Sequence, residues 1–140
     1  MHFILSFLKK ITPIANAHCD IPCGIYTSEP SLTAARTVLK MVEKIQGAQP
    51  DDVHAICRFT ATKEEHAQKC KQELLILWTD YFKQEHLAMF PNLHEVFWKA
   101  AKLCSRNKQV VSMESAQELL KAVEEIARIF EQAKASKTTQ

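Results

Sequence analysis

Residues 112–135 read SMESAQELLKAVEEIARIFEQAKA, which is the clearest helical pattern in the 140-residue chain. Either Ser112 or Ser115 is placed to cap this helix, which we predict over about 114–135. Its apolar side chains recur at helical spacing, and they are Leu119, Leu120, Val123, Ile126, Ala127 and Phe130. A helix with one apolar stripe and charged remaining faces has to pack against other helices. The stretch therefore predicts a helical bundle.

Three further helices are predicted upstream, over about 30–46, 52–82 and 91–105. Pro30 and Pro91 suit the first turns of two of them. The chain contains only two glycines, which argues against a turn-rich β fold. Four amphipathic helices with short connections predict an all-α, up-and-down four-helix bundle that forms a single domain.

The overall composition excludes two classes of partner. Charged residues make up 24% of the chain and the formal net charge is only +2, with no basic tract typical of nucleic-acid binding. No apolar run reaches the ~18 residues that a membrane span requires. We therefore expect neither a nucleic-acid partner nor a membrane segment.

The N-terminal residues 1–17, MHFILSFLKKITPIANA, differ from the helical patterns that follow. An apolar stretch, two lysines and a small-residue ending are typical of a processed leader. As an export signal the stretch is poor, because Lys9 and Lys10 follow the apolar run. Cleavage after Ala17 would make His18 the first residue of a mature domain spanning 18–140.

Residues 18–26, HCDIPCGIY, form a non-periodic segment that we call the hook segment. A free His18 would offer its α-amine and its imidazole. Cys19 would offer a thiolate and, if its amide deprotonates, a backbone nitrogen that closes two five-membered chelate rings. Cys23 would supply a second sulfur, which completes a planar N2S2 set with imidazole available as an axial ligand.

A planar set of nitrogen and sulfur donors favours Ni(II) or Cu(II), whereas zinc prefers a tetrahedron. Strong thiolate and amide donors would lower a Ni(III)/Ni(II) couple into the range where superoxide can both reduce and oxidise it. Taken on spacing alone, Cys-x3-Cys also fits a small disulfide loop or a zinc site. The other three cysteines, Cys57, Cys70 and Cys104, fall within helical patterns, and we expect each to be a buried thiol.

Two separate motifs together resemble the nickel-containing superoxide dismutase family. The first is HCDIPCGIY, and the second runs from Trp78 through WTDYFK to His86, Pro91 and His94. The resemblance covers about His18 to Lys134. It implies conversion of two superoxide anions and protons to dioxygen and hydrogen peroxide, by ping-pong cycling of one nickel ion per subunit. A non-catalytic nickel or copper carrier is the alternative function.

The resemblance also implies roles for particular residues. His18, Cys19 and Cys23 would be the metal ligands and catalytic residues, and Tyr26 would stand over the open axial face of the metal. Asp20, Tyr81 and Lys83 match residues near the site, in structural, proton-delivering or anion-steering roles.

The chain departs from the family at two positions. Family members hold the axial imidazole through a glutamate on the first helix and an arginine on the second, whereas this chain aligns Ala34 and His66 there. His66 is therefore a candidate to contact the His18 imidazole directly or through water. The resemblance further implies a cytoplasmic homohexamer and a peptidase that removes the leader, and Phe97 and Trp98 are candidate assembly residues.

Overall fold

A computed structural model describes residue 21 and residues 24–137 of the chain, except the side chain of residue 137. The elements in these ranges are five α-helices and one π-helical turn. They are α1 (Glu29–Gly47), α2 (Val53–Ile76), the π turn (Leu77–Tyr81), α3 (Gln84–Met89), α4 (Leu93–Gln109) and α5 (Met113–Lys137). No helix in this part of the chain combines the length and hydropathy needed to cross a bilayer.

The four long helices pack in a closed cycle, which confirms the expected all-α bundle. α1 contacts α2, α2 contacts α4, α4 contacts α5, and α5 returns to α1. The cycle encloses a core in which α5 supplies Leu119, Val123, Ile126 and Phe130, all fully buried. Leu120 and Ala127 are only half-buried, because the centre of the buried face lies nearer to Ile129 than the sequence pattern indicated.

Side-chain caps fix the starts of two helices. Asp52 accepts a hydrogen bond from the backbone N–H of Ala55 at 3.0 Å, at the start of α2. Ser112 accepts one from the N–H of Ser115 at 3.2 Å, so Ser112 is the cap of α5 and Ser115 lies inside the helix. Each of these bonds satisfies a donor that the first helical turn leaves without a partner.

The expected continuous helix over 52–82 is wrong at its C-terminal end. The α-helix ends at Ile76, a π turn follows, and Phe82 is extended. The N–H of Phe82 donates to the carbonyl of Leu77 at 3.1 Å, five residues back, which is the π-helical pattern. The short helix α3 was likewise not predicted, because the expected helices end at about 82 and resume at about 91, with these residues as the connection.

The first turns of α2 are more exposed than the sequence indicated. Val53 is 63% exposed and Cys57 is exposed, although both fall within the predicted helix over 52–82. α2 has 24 residues and α4 has 17. At 1.5 Å per residue their lengths are about 36 and 26 Å, so the start of α2 extends past its neighbour. The expectation of a buried thiol is therefore wrong for Cys57, and it is confirmed for Cys70 and Cys104.

A buried lysine joins α2 to the corner between α4 and α5. Lys63 is only 1% exposed, and its ammonium donates to the carbonyls of Asn107, Lys108 and Val110. The amide of Asn107 donates to the carbonyl of Ser115 at 2.9 Å, which ties the end of α4 to the start of α5. Burial lowers the pKa of Lys63, and the nearby Glu64 carboxylate opposes that shift. We call this group of contacts the Lys63 corner.

Candidate metal centre

The described end of the hook segment enters the bundle through Tyr26. Gly24 has φ +95°, a backbone conformation that glycine adopts far more readily than other residues. Ile25 then points to solvent, while Tyr26 is only 7% exposed and belongs to the hydrophobic core. Ile21 is half-buried against the same core. The chain just before α1 is thus fixed to the bundle by apolar packing.

The proposed ligands His18, Cys19 and Cys23, together with Asp20, lie outside the described residues. Within residue 21 and residues 24–137, no three His, Cys, Asp or Glu side chains converge in a way that could hold a metal ion. Whether His18, Cys19 and Cys23 suit a nickel ion therefore depends on the chemistry of their donor atoms. An imidazole, two thiols and the backbone nitrogens beside them are donors that suit nickel, so these residues fit the metal.

Tyr26 and Tyr81 are brought together, as the two motifs indicated. Their ring centroids are 5.6 Å apart, with the planes inclined at 55°. The π turn places Tyr81 at this position, and the ring of Phe130 on α5 lies 4.5 Å from it on another side. Three elements that are distant in sequence, the hook segment, the π turn and α5, therefore meet at one aromatic cluster.

His86 completes this cluster, and sequence reasoning did not include it among the site residues. Its imidazole is buried and lies nearly parallel to the Tyr81 ring, with centroids 5.8 Å apart and an angle of 16°. The Nδ1 atom accepts the backbone N–H of Lys83 at 2.8 Å. In the neutral ring the proton is therefore on Nε2. The histidine of the second motif was a visible signal, but its burial was not.

The electrostatics of the cluster keep the Tyr81 phenol protonated. Burial raises the pKa of Tyr81, and the negative charge of Glu131 adds to the effect. Desolvation favours the neutral form of an acid, as does a nearby like charge. The Tyr81 hydroxyl is therefore a hydrogen-bond donor throughout the neutral pH range.

Lys83 has an exposed side chain that borders a surface pocket of about 200 Å³, which Trp78 and His94 also line. There the Trp78 indole N–H donates to Nδ1 of His94 at 2.9 Å. The Trp78 ring is also stacked on Phe97, with centroids 5.8 Å apart. Phe97 is consequently a core residue, and Trp98 is the exposed one of the pair considered for assembly.

His66 and Ala34, the two departures from the family pattern, line the same cavity. It has a volume of about 360 Å³, and Thr27, Glu29 and Lys69 also border it. The Nδ1 atom of His66 lies 3.0 Å from the carbonyl of Thr62. Because a carbonyl can only accept, Nδ1 carries the proton and Nε2 of the neutral ring has a free lone pair. The cavity begins one residue after Tyr26, so it adjoins the hook segment along the chain.

A helical bundle with paired tyrosines, preceded in the sequence by a short segment of histidine and cysteines, is typical of a redox metalloprotein. The chain belongs to the nickel-containing superoxide dismutase family, whose model matches residues 13–134. It is 36% identical over 119 residues to superoxide dismutase [Ni] from Streptomyces seoulensis, covering 85% of this chain and 89% of that protein. It is 34% identical over 128 residues to superoxide dismutase [Ni] from Streptomyces coelicolor, covering 91% of this chain and 95% of the relative.

Solved structures agree with the family assignment. The crystal structure of nickel-containing superoxide dismutase with its ligation in the oxidised state superposes with a TM-score of 0.78 at 35% identity, covering 84% of this chain and 99% of that one. The native nickel superoxide dismutase structure gives the same TM-score at 34% identity, with the same coverage. The chain is therefore an oxidoreductase that disproportionates superoxide with one nickel ion per subunit, and the carrier alternative is not favoured.

Proposed function

We propose that the nickel ion is held by His18, through its amine and imidazole, by Cys19, through its amide nitrogen and thiolate, and by the thiolate of Cys23. When bound there, nickel supplies the one-electron couple that oxidises one superoxide to dioxygen and reduces the next to peroxide. The chain's own part is to supply the donors, limit access to them and hold protons nearby.

The burial of Tyr26 carries this proposal. Cys23 is only three residues before a tyrosine that is anchored in the core, and Gly24 between them has a φ of +95°. A metal bound so few residues from this anchor would be held near the aromatic cluster. A redox metal tethered at a fixed place suits catalysis, whereas a carrier needs a segment that releases its ion.

Tyr26 and Tyr81 limit access to the site and retain protons in it. The two rings present an apolar wall that admits small anions and excludes larger reductants. Because the pKa of Tyr81 is raised, its phenol remains a donor at neutral pH. His86 positions Tyr81 by stacking on it, and its own orientation is fixed by the backbone N–H of Lys83. Asp20, which lies outside the described residues, would serve either as a structural hydrogen-bond partner or in proton delivery. The exposed Lys83 adds positive charge that attracts the anion.

His66 takes the place of the missing glutamate and arginine pair. Its Nε2 lone pair can accept a hydrogen bond from the His18 imidazole, directly or through water in the 360 Å³ cavity that Ala34 leaves open. Such a bond would orient the His18 imidazole and tune a metal bound to it. His66→Ala should then reduce both activity and the electron paramagnetic resonance signal of oxidised nickel.

The matched control for His66 is His54→Ala, which removes an exposed histidine from the same helix. Unchanged activity and an unchanged resonance signal in His66→Ala, with nickel content equal to wild type, would refute the positioning role. A loss of both values in His54→Ala would also count against it, because the effect would not be specific to the cavity.

Maturation is the decisive step in this proposal, because only a chain beginning at His18 offers a free amine. We propose that a peptidase removes residues 1–17. The test is to prepare one chain that begins at His18 and another that begins at Ala17, and to measure intact mass, nickel content and superoxide dismutation for each. The first should bind nickel and be active, and the second should do neither. Equal nickel content and activity in the two chains would overturn the ligand assignment.

Assembly and location complete the proposal. We propose a cytoplasmic homohexamer in which exposed apolar side chains such as Trp98, 56% exposed in the single chain, contact other subunits. Sedimentation equilibrium should give the mass of six mature chains, and Trp98→Asp should shift it to smaller species. Cell fractionation with a periplasmic marker enzyme would test the location, and co-release with that marker would contradict it.

A further inference from the structure

Two core thiols face each other across the interface between α2 and α4. Cys70 and Cys104 are both 0% exposed, and neither is in a disulfide. The next residue on each helix confirms the register, because the ammonium of Lys71 donates to the hydroxyl of Ser105 at 3.1 Å. The Cys70 thiol also lies 3.6 Å from the carbonyl of Ser31 on α1, so it occupies the junction of three helices.

The surroundings of this thiol pair make it unreactive in the closed bundle. Contact with the Cys104 thiol and burial both raise the pKa of Cys70. Because the thiolate is the nucleophile, a protonated and buried thiol reacts slowly with oxidants. The pair becomes available only when α2 and α4 separate locally.

We propose that Cys70 and Cys104 form a latent oxidation site, at which hydrogen peroxide joins the two thiols as a disulfide when the bundle opens locally. The oxidant is the product of the superoxide dismutase activity established above. One cysteine sulfur attacks peroxide, the O–O bond breaks, and sulfenic acid and water form. The second thiol displaces water from the sulfenic acid sulfur. Two thiols and one peroxide thus give one disulfide and two waters.

The disulfide would link helices that are already packed together. The sulfurs, which are in contact as thiols, need only approach to the bond length of about 2.05 Å. The crosslink would close a long loop between α2 and α4, and it would restrict the unfolded chain. An enzyme that generates peroxide would thereby stabilise its own bundle in proportion to its exposure to that product.

The test uses the mature, nickel-loaded enzyme exposed to hydrogen peroxide, with and without urea below the unfolding transition. Digestion at glutamates without reduction isolates Cys70 in residues 66–73 and Cys104 in residues 96–114, away from the hook cysteines. The linked pair of peptides should appear by mass spectrometry with the loss of two hydrogens. Its rate of formation should rise about tenfold in urea, because urea populates local opening.

Variants separate this site from other cysteine oxidation. Cys104→Ala and Cys70→Ala should abolish the linked peptides, whereas Cys57→Ser, which changes an exposed thiol on α2, should leave them unchanged. The oxidised wild-type enzyme should also have a higher urea midpoint than the reduced enzyme. Sulfinic or sulfonic acid at Cys70 without linked peptides would overturn the proposal, as would persistence of both thiols in urea and peroxide.

Discussion

Replacing Lys63 with methionine tests whether the Lys63 corner holds α2 against the end of α4. Methionine has a similar length and no charge, so it can occupy the same space without donating hydrogen bonds. In the wild-type chain the ammonium donates to three backbone carbonyls, including those of Lys108 at 3.3 Å and Val110 at 3.1 Å. The third, on the fully buried Asn107, would lose the lysine donor without access to bulk water.

The expected change in the free energy of unfolding for Lys63→Met follows from three contributions. A buried acceptor that loses its partner costs about 1–3 kcal/mol. Removal of a cation from a helix C-terminus costs up to about 2 kcal/mol in a partly buried geometry. Against these, methionine avoids the cost of burying an ammonium, the same cost that lowers the pKa of Lys63. We expect a net loss of about 1–3 kcal/mol in the free energy of unfolding.

The assay is urea unfolding of metal-free protein, followed by far-ultraviolet circular dichroism. Lys108→Met is the matched control, because it removes a lysine from the same corner whose ammonium donates to Gln68 at 3.1 Å in an exposed position. That control should change the free energy of unfolding by less than about 0.5 kcal/mol. A Lys63→Met protein as stable as the wild type would refute the reasoning and show that the corner closes without the cation.

Three further perturbations test other contacts. Tyr81→Phe should remove an alkaline loss of stability. The pKa of Tyr81 in the folded chain is raised above the unfolded value of 10.0, so the free energy of unfolding falls as the pH rises above that value. Urea unfolding measured from about pH 8 to about pH 11, a range that brackets the ordinary tyrosine pKa, should therefore vary less with pH in the variant. Phe130→Ala should cost about 3–5 kcal/mol in unfolding free energy, since it empties a fully buried site behind Tyr81; a cost below about 1 kcal/mol would contradict the packing described. Asp52→Ala should cost about 1 kcal/mol through loss of the α2 cap, whereas Asp51→Ala, which removes no cap, should be neutral in the same urea assay.

The helices and most of the core could be predicted because their information is local. A charged surface around an apolar stripe was enough to place α5 and its buried residues Leu119, Val123, Ile126 and Phe130. The tyrosine pair could be proposed because both members belong to distinctive motifs. Short motifs therefore indicated which distant residues meet, although composition and periodicity did not.

Other features depend on tertiary contacts that no local pattern encodes. Lys63 reads as a solvated charge, yet it is buried because α4 ends where its ammonium can reach. The π turn at Leu77–Tyr81 contains no glycine or proline, so its sequence does not mark a break in the helix. Cys57 falls within a helical pattern, but it is exposed because it lies in the part of α2 that extends past α4.

The π turn also makes the orientation of Tyr81 adjustable independently of the bundle. It holds one residue more per hydrogen-bonded ring than an α turn, so it is equivalent to a single-residue insertion at the end of α2. Deleting one residue there would restore α-helical winding and turn the following side chains by about 100° around the helix axis. Tyr81 would then face away from Tyr26 and Phe130, while the contacts of α2 upstream of Leu77 would keep their places. The supporting frame and the aromatic wall of the metal site can accordingly be altered separately, by changing the length of one turn.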